Sequence, residues 1–294
     1  MPSFVAEIAD RLLAGSAPAV IGLDPRLDAL PADLLPDGDP SERIVEFYRR
    51  TLPALAQHVP CVKPNIAFFE RYGAAGFAAY EWTCRAARER GLLVIGDVKR
   101  GDIGSTASAY ADGHFALADA LTLHPYLGED SVAPFLDACG VQGKSGAGGK
   151  AVFVLVRTSN PGARDFQDLE LGSGRTLCDV VAEAVTRWGR ELPFAEGYSP
   201  VGAVVGATWP SELERLRALL PHAWLLLPGV GAQGGTVEDL APAFDSRGLG
   251  ALVNQSRGVM QCFARDDGDW LARVEDAART FAADCRRVAT GERT

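Results

Sequence analysis

The chain has 294 residues, 47% of them hydrophobic and 23% charged, a balance that supplies a sizeable core and excludes a disordered protein. A formal charge of −9 excludes a protein built mainly to grip a nucleic-acid backbone, because such binding rests on clustered Lys and Arg displacing counterions. A small anionic ligand needs only a few cations and amides in one pocket, and the net charge does not exclude it.

At the N-terminus, Phe4, Val5, Ile8, Leu12 and Leu13 recur at helical spacing around Glu7, Asp10 and Arg11, which predicts an amphipathic helix. The segment lacks the basic start and apolar centre of an export signal, and no apolar run reaches the length of a membrane span. Eight short apolar runs follow: Ala19 to Leu23, Cys61 to Val62, Leu92 to Ile95, Ala120 to Leu123, Ala151 to Val156, Val201 to Val205, Trp224 to Leu227 and Ala251 to Val253. They are continuous and not alternating, as in parallel strands buried on both faces. Helical periodicity fills stretches between them, such as Ser41 to Leu55, Ala75 to Arg90, Leu177 to Trp188 and Ser211 to Leu219. Strand and helix alternate with no break in composition, so the expected fold is α/β: one (β/α)8 TIM barrel domain over residues 1–294, preceded by the N-terminal helix.

Residues 140–150 (GVQGKSGAGGK) are predicted to form a glycine-rich surface loop before the fifth strand. Gly143-Lys144-Ser145 has the ending of a phosphate-binding P-loop, but Ala138 stands where the first glycine belongs and a strand follows where a helix is required. The six cysteines, at 61, 84, 139, 178, 262 and 285, are scattered without a close pair, which argues against a zinc site. They read as reduced thiols in a cytoplasmic protein, most of them small core residues, with Cys61 lining a strand.

Several runs end in polar residues: Asp24 after the first, Lys63 after the second, Asp97 after the third, Thr158 and Ser159 after the fifth. In barrels the chemistry sits at the C-terminal strand ends, where eight loops converge. Asp97 and Lys99 are two apart, so extended geometry points both into one pocket, and Lys63 on the neighbouring strand approaches the same point. A single Asp-x-Lys is an ordinary rim salt bridge. Burying two lysines and two carboxylates, Asp102 being the second, is costly unless every charge is compensated, and stability alone favours apolar packing there. A lysine among carboxylates is held as ammonium, which makes it a proton donor to a carbanion left by departing carbon dioxide.

The run Asp97-Val98-Lys99-Arg100-Gly101-Asp102-Ile103-Gly104-Ser105-Thr106 resembles the signature of the orotidine 5′-phosphate decarboxylases. The likeness extends through Gly22-Leu23-Asp24-Pro25-Arg26, Lys63-Pro64-Asn65, Leu123-His124-Pro125-Tyr126, Thr158-Ser159-Asn160-Pro161-Gly162, Leu227-Pro228-Gly229-Val230-Gly231 and Asn254-Gln255-Ser256-Arg257-Gly258, in the manner of the longer bacterial branch. The resemblance implies a homodimer of barrels without metal or organic cofactor, acting on orotidine 5′-monophosphate, with no nucleic-acid or membrane partner. It implies that Lys99 protonates C6, that Asp97 sits against the scissile carboxylate, and that Lys63 orients the ribose and Asp97. Asp102, Ile103 and Thr106 would reach in from the second subunit. Asp24 would bind the ribose hydroxyls, Ser159 would read the pyrimidine edge, and Asn65 and Ser256 would join the substrate contacts.

After the seventh run, Gly229-Val230-Gly231-Ala232-Gln233-Gly234 matches a dinucleotide fingerprint, yet no acidic residue follows at the required distance. Barrel loops after strands seven and eight commonly bind phosphate through backbone amides, which assigns Gly231 to that role and lets Gln233 fold over the ligand. Arg257, after the eighth run, offers a phosphate two parallel charged hydrogen bonds. His58, His114 and His222 stand singly and read as capping or packing residues, and His124 as a border of the pocket. Phe68, Phe69, Trp82 and Trp188 read as core. Two other functions stay open: a metal-dependent phosphosugar decarboxylase or aldolase on the same barrel, and an inactive barrel that only binds a nucleotide.

Overall fold

The structure, a computed structural model, describes residues 2–35, 37–140, 148–172, 174–206, 210–229 and 236–292. Strands β1 (Ala19–Leu23), β2 (Cys61–Pro64), β3 (Leu93–Arg100), β4 (Ala120–Leu123), β5 (Ala151–Arg157), β6 (Ser199–Val205), β7 (Ala223–Pro228) and β8 (Ala251–Gln255) pair in parallel, in sequence order, and β8 returns to β1 to close the barrel. Every expected apolar run lies in one of them or overlaps its start. The expected runs stop short of the true ends of β3 and β5, because there the inward side chains turn polar and the hydrophobic signal ends while the ladder continues.

The helices are α1 (Phe4–Leu13), α2 (Pro40–Leu55), α3 (Ala67–Glu70), α4 (Gly73–Glu89), α5 (Gly104–Phe115), α6 (Glu129–Cys139), α7 (Arg164–Gln167), α8 (Leu177–Gly189), α9 (Pro210–Leu219), α10 (Arg257–Met260) and α11 (Trp270–Thr290). Local chemistry sets several of their starts. Asp39 caps α2 and Glu42 returns to the Asp39 amide, with Pro40 at the first helical position. Thr176 and Asp179 form the same reciprocal pair on α8. Gly291 closes α11 in the left-handed conformation that glycine tolerates.

Two apolar layers result. The larger lies between the strands and the helical shell, and the smaller fills the barrel. Helix α1 lies across the N-terminal mouth, where Phe4, Val5, Ile8 and Ala9 pack on interior residues such as Val20 and Phe153. Each large side chain so buried contributes on the order of 2 kcal/mol. Strand alternation makes the interior change character along its axis. Val20, Cys61, Ile95, Ala120 and Leu252 belong to the apolar interior. Two residues further along the same strands come Gly22, Lys63, Asp97, Thr122 and Asn254, so the C-terminal end is polar.

Five of the six cysteines are buried, Cys262 is half-buried, and all are free thiols. Of the expected loop at 140–150, residues 141–147 lie outside the described residues, and with them Gly143-Lys144-Ser145. The Gly149 amide donates to the Gly140 carbonyl at 2.9 Å, and the Phe4 amide donates to the Gly149 carbonyl at 2.8 Å. Among the described residues no helix is long and apolar enough to cross a membrane.

Candidate active site

The centre lies where β2, β3 and β4 meet the polar end of the interior. Lys63 and Asp97 are each 6% exposed, with Lys63 Nζ 2.5 Å from Asp97 Oδ2. Lys99 Nζ reaches the other oxygen, Oδ1, also at 2.5 Å. Burial pushes the Asp97 carboxyl up in pKa, but the charges of Lys63 and Lys99 and their hydrogen bonds outweigh it and hold it well below the usual carboxylate range. Burial likewise pulls Lys63 down, and the charges of Asp97 and then Asp24 outweigh it and keep the ammonium protonated. The expected convergence of Lys63, Asp97 and Lys99 is therefore present.

Its degree of burial needs correction. The Lys99 side chain is 49% exposed, so of the four charges Lys63, Asp97, Lys99 and Asp102, Lys63 and Asp97 are the buried ones within one chain. Asp102 is half-buried and turned onto its own neighbour, accepting from the Ile103 amide at 2.8 Å. Ile103 is 54% exposed and Thr106, in the first turn of α5, is exposed as well. The segment after β3 thus leaves Ile103 and Thr106 open to solvent and Asp102 partly so.

Asp24 follows β1 and carries a buried Oδ1 without a hydrogen-bond partner, as does Asn254 on β8. A carboxylate oxygen accepts only, so this position suits a hydrogen-bond donor. Asn65, directly after β2, bridges to Asp97 through the backbone and accepts from the Ala67 amide. Ser159 lies against Gly206 after β6, where a Cβ would stand 3.0 Å from the Ser159 Cβ. Ser256 packs on Gly22 so closely that a Cβ there would lie 1.9 Å from the hydroxyl. Arg257 is exposed at the start of α10. Gly231 and Gln233 lie outside the described residues. Among the described residues, no group of three or more His, Cys, Asp or Glu stands together as metal ligands.

Three features escaped the sequence reading. Thr122 donates to Asp97 Oδ1 at 3.0 Å and accepts from the Lys99 amide at 3.0 Å. Its signal was available, since it stands two residues after Ala120 as Asp97 does after Ile95. Arg157, 5% exposed at the end of β5, ties Asp168 of the following loop at 2.6 Å to Glu212 of α9 at 3.0 Å. Arg100, next to Lys99, donates to His114 Nε2 at 3.1 Å, pairs with Glu70 at 2.7 Å and lies over the Tyr110 ring.

His114 is thus a packing residue, and it must be neutral to accept from Arg100. Burial, then the Arg100 charge, pulls its pKa down to about 4. The unfolded imidazole titrates near about 6.5, so this contribution to stability is complete above that pH and is lost as the pH falls from there towards 4. We expect the melting temperature of the wild-type chain to decline across that window, before the carboxylates titrate. A His114→Gln chain, which keeps an acceptor, should show a flatter profile there. Equal slopes for the two chains would count against the assignment.

Fold and site together define a (β/α)8-barrel enzyme with a lysine–aspartate–lysine centre at the C-terminal strand ends. The family model described as orotidine 5′-phosphate decarboxylase / HUMPS matches residues 37–262. The orotidine 5′-phosphate decarboxylase of Rhodopirellula baltica is 42% identical, over 94% of this chain and 97% of its own. Among solved structures, Leishmania donovani OMP decarboxylase superposes with a TM-score of 0.73 at 34% identity, covering 94% of this chain and 96% of that one. Leishmania donovani UMP synthase superposes with a TM-score of 0.77 at 35% identity, covering 97% of this chain, which spans 57% of the length of that protein. The chain belongs to the orotidine 5′-phosphate decarboxylase / HUMPS family.

Proposed function

We propose that this protein converts orotidine 5′-monophosphate into uridine 5′-monophosphate and carbon dioxide, the last step of de novo UMP synthesis, as a single barrel domain working in the cytoplasm without metal or organic cofactor. The observation that carries the reading is the Lys63–Asp97–Lys99 cluster: a buried carboxylate held ionised by two ammonium groups, one of them half-exposed towards the mouth.

In this reading the substrate carboxylate leaves beside Asp97, and negative charge grows at C6 where the Lys99 ammonium stabilises it and then delivers its proton. The carbon–carbon bonding pair stays on C6 and takes that proton. Lys63 fixes Asp97 and the ribose, Asp24 accepts from the ribose hydroxyls through its unpartnered Oδ1, and Ser159 reads the pyrimidine edge. Asn65 and Ser256 complete the substrate contacts, and Gly231, Gln233 and Arg257 hold the phosphate. A second copy of the chain supplies Asp102, Ile103 and Thr106. Exposed Ile103, Tyr110, Tyr126 and Leu127, clustered in the segments after β3 and β4, give that copy an apolar surface to cover.

The direct test is turnover. Purified protein treated with chelator should deplete the orotidylate absorbance at the untreated rate. Loss of activity in chelator, restored by a divalent metal, would favour a phosphosugar enzyme on the same barrel. Binding of the nucleotide without turnover would favour an inactive barrel.

A further inference from the structure

We propose that Thr122 is a positioning residue for the reaction, its hydroxyl holding the Asp97 carboxylate and the backbone of Lys99 in one closed hydrogen-bonded ring. The inference rests on the roles proposed above for Asp97 and Lys99.

The ring follows from an irregularity in the barrel. Along the β3–β4 ladder Gly96 faces Leu121, but Arg100 faces Leu123, so four steps of β3 oppose two of β4. The surplus residues bulge, and Lys99 takes a φ of 45°. That is a left-handed backbone in a residue with a long side chain, a strained state that persists only where its surroundings impose it. The bulge also takes the Lys99 amide out of the ladder, where a buried amide needs an acceptor. Thr122 Oγ1 is that acceptor at 3.0 Å.

The hydroxyl has one proton, and its direction is decided by its neighbours. The Lys99 amide can only donate, and the ionised Asp97 carboxylate can only accept, so the hydroxyl gives its proton to Asp97 Oδ1. The same oxygen receives the Lys99 ammonium at 2.5 Å. The ring therefore starts at the main chain of Lys99 and ends at its side chain. Thr122, 2% exposed on β4, anchors both ends to a strand that carries none of the reacting groups. An ammonium on a long flexible stem is thereby aimed before substrate arrives, and such aiming acts on the rate of the chemical step more than on binding.

Thr122→Val keeps the shape and removes both hydrogen bonds, and Thr122→Ser keeps both bonds. We expect the valine chain to lose roughly 10- to 100-fold in kcat with KM within about twofold of wild type, and the serine chain to stay within about threefold. A wild-type kcat in the valine chain, a loss shared by the serine chain, or a loss carried by KM would overturn the proposal. Thr122→Ala removes the same hydroxyl and stands in if the valine chain does not fold. Amide hydrogen exchange reads the anchor with no substrate present: the Lys99 amide should exchange slowly in the wild type and faster in the chain without the hydroxyl. Equal exchange overturns the anchor, whereas a wild-type chain inactive on orotidylate counts against the proposed function alone.

Discussion

A Lys99→Ala chain should fold and bind orotidine 5′-monophosphate while losing roughly 10,000-fold or more in kcat. The size follows from two effects residing in one ammonium: proton delivery, commonly about 100- to 10,000-fold, and stabilisation of the developing carbanion, of similar order for one well-placed charge. The fold should survive, because the Lys99 side chain is half-exposed and its removal leaves Asp97 with Lys63 and Thr122 as partners. Removing Lys63 would differ, since that ammonium lies buried and its loss leaves the buried Asp97 carboxylate with the half-exposed Lys99 as its remaining cation. The decisive comparison is the orotidylate progress curve of each chain beside its melting curve. Full activity in a well-folded Lys99→Ala chain would end the proposed mechanism.

Mixing two inactive variants should restore activity. If Asp102 completes the neighbouring site, a dimer of one Lys99→Ala chain and one Asp102→Ala chain contains one site lacking both groups and one lacking neither. Random reassortment makes about half the dimers mixed, so about a quarter of all sites should work, against nearly none in either parent. Among the described residues Asp102 accepts from the Ile103 amide and makes no ion pair with Lys99, which suits a group serving another subunit. A mixture no more active than its parents, with mixed dimers demonstrated by mass spectrometry, would place Asp102 in its own chain's site or in none.

Most of the barrel was legible in the sequence because parallel strands buried on both faces leave continuous apolar runs, and a run such as Ala19 to Leu23 coincides with its strand to the residue. Lys63, Asp97 and Lys99 were legible too, from their places at adjacent strand ends, although the chain between Asp97 and Lys99 bulges and is not the extended pair that period two assumes. Thr122 was legible only as an inward-facing residue at the polar end of a correctly read strand. Its importance depends on the slip of β3 against β4, and a ladder irregularity leaves no mark in the hydrophobic pattern. Arg157 was hidden for a related reason: it closes a strand whose apolar signal ends at Val156, and its carboxylate partners stand 11 and 55 residues further along. The exposure of Lys99 was misjudged because the cost of burying charge was applied to the cluster as a whole. The protein meets that cost for Lys63 and Asp97 and leaves the third group near solvent. The role proposed for Asp102 was reachable only by resemblance, because one chain's sequence carries no sign of a second subunit.

Helix α1, laid across the N-terminal mouth with Phe4 against Phe153, makes the barrel a blind vessel. The apolar filling behind it leaves the polar end as the side open to traffic, so whatever enters the proposed site must back out the way it came. Carbon dioxide, small and neutral, can slip past a bound nucleotide, but the next orotidylate cannot. Uridylate then stands in the doorway its precursor needs, so in the proposed cycle product leaves before the next substrate enters.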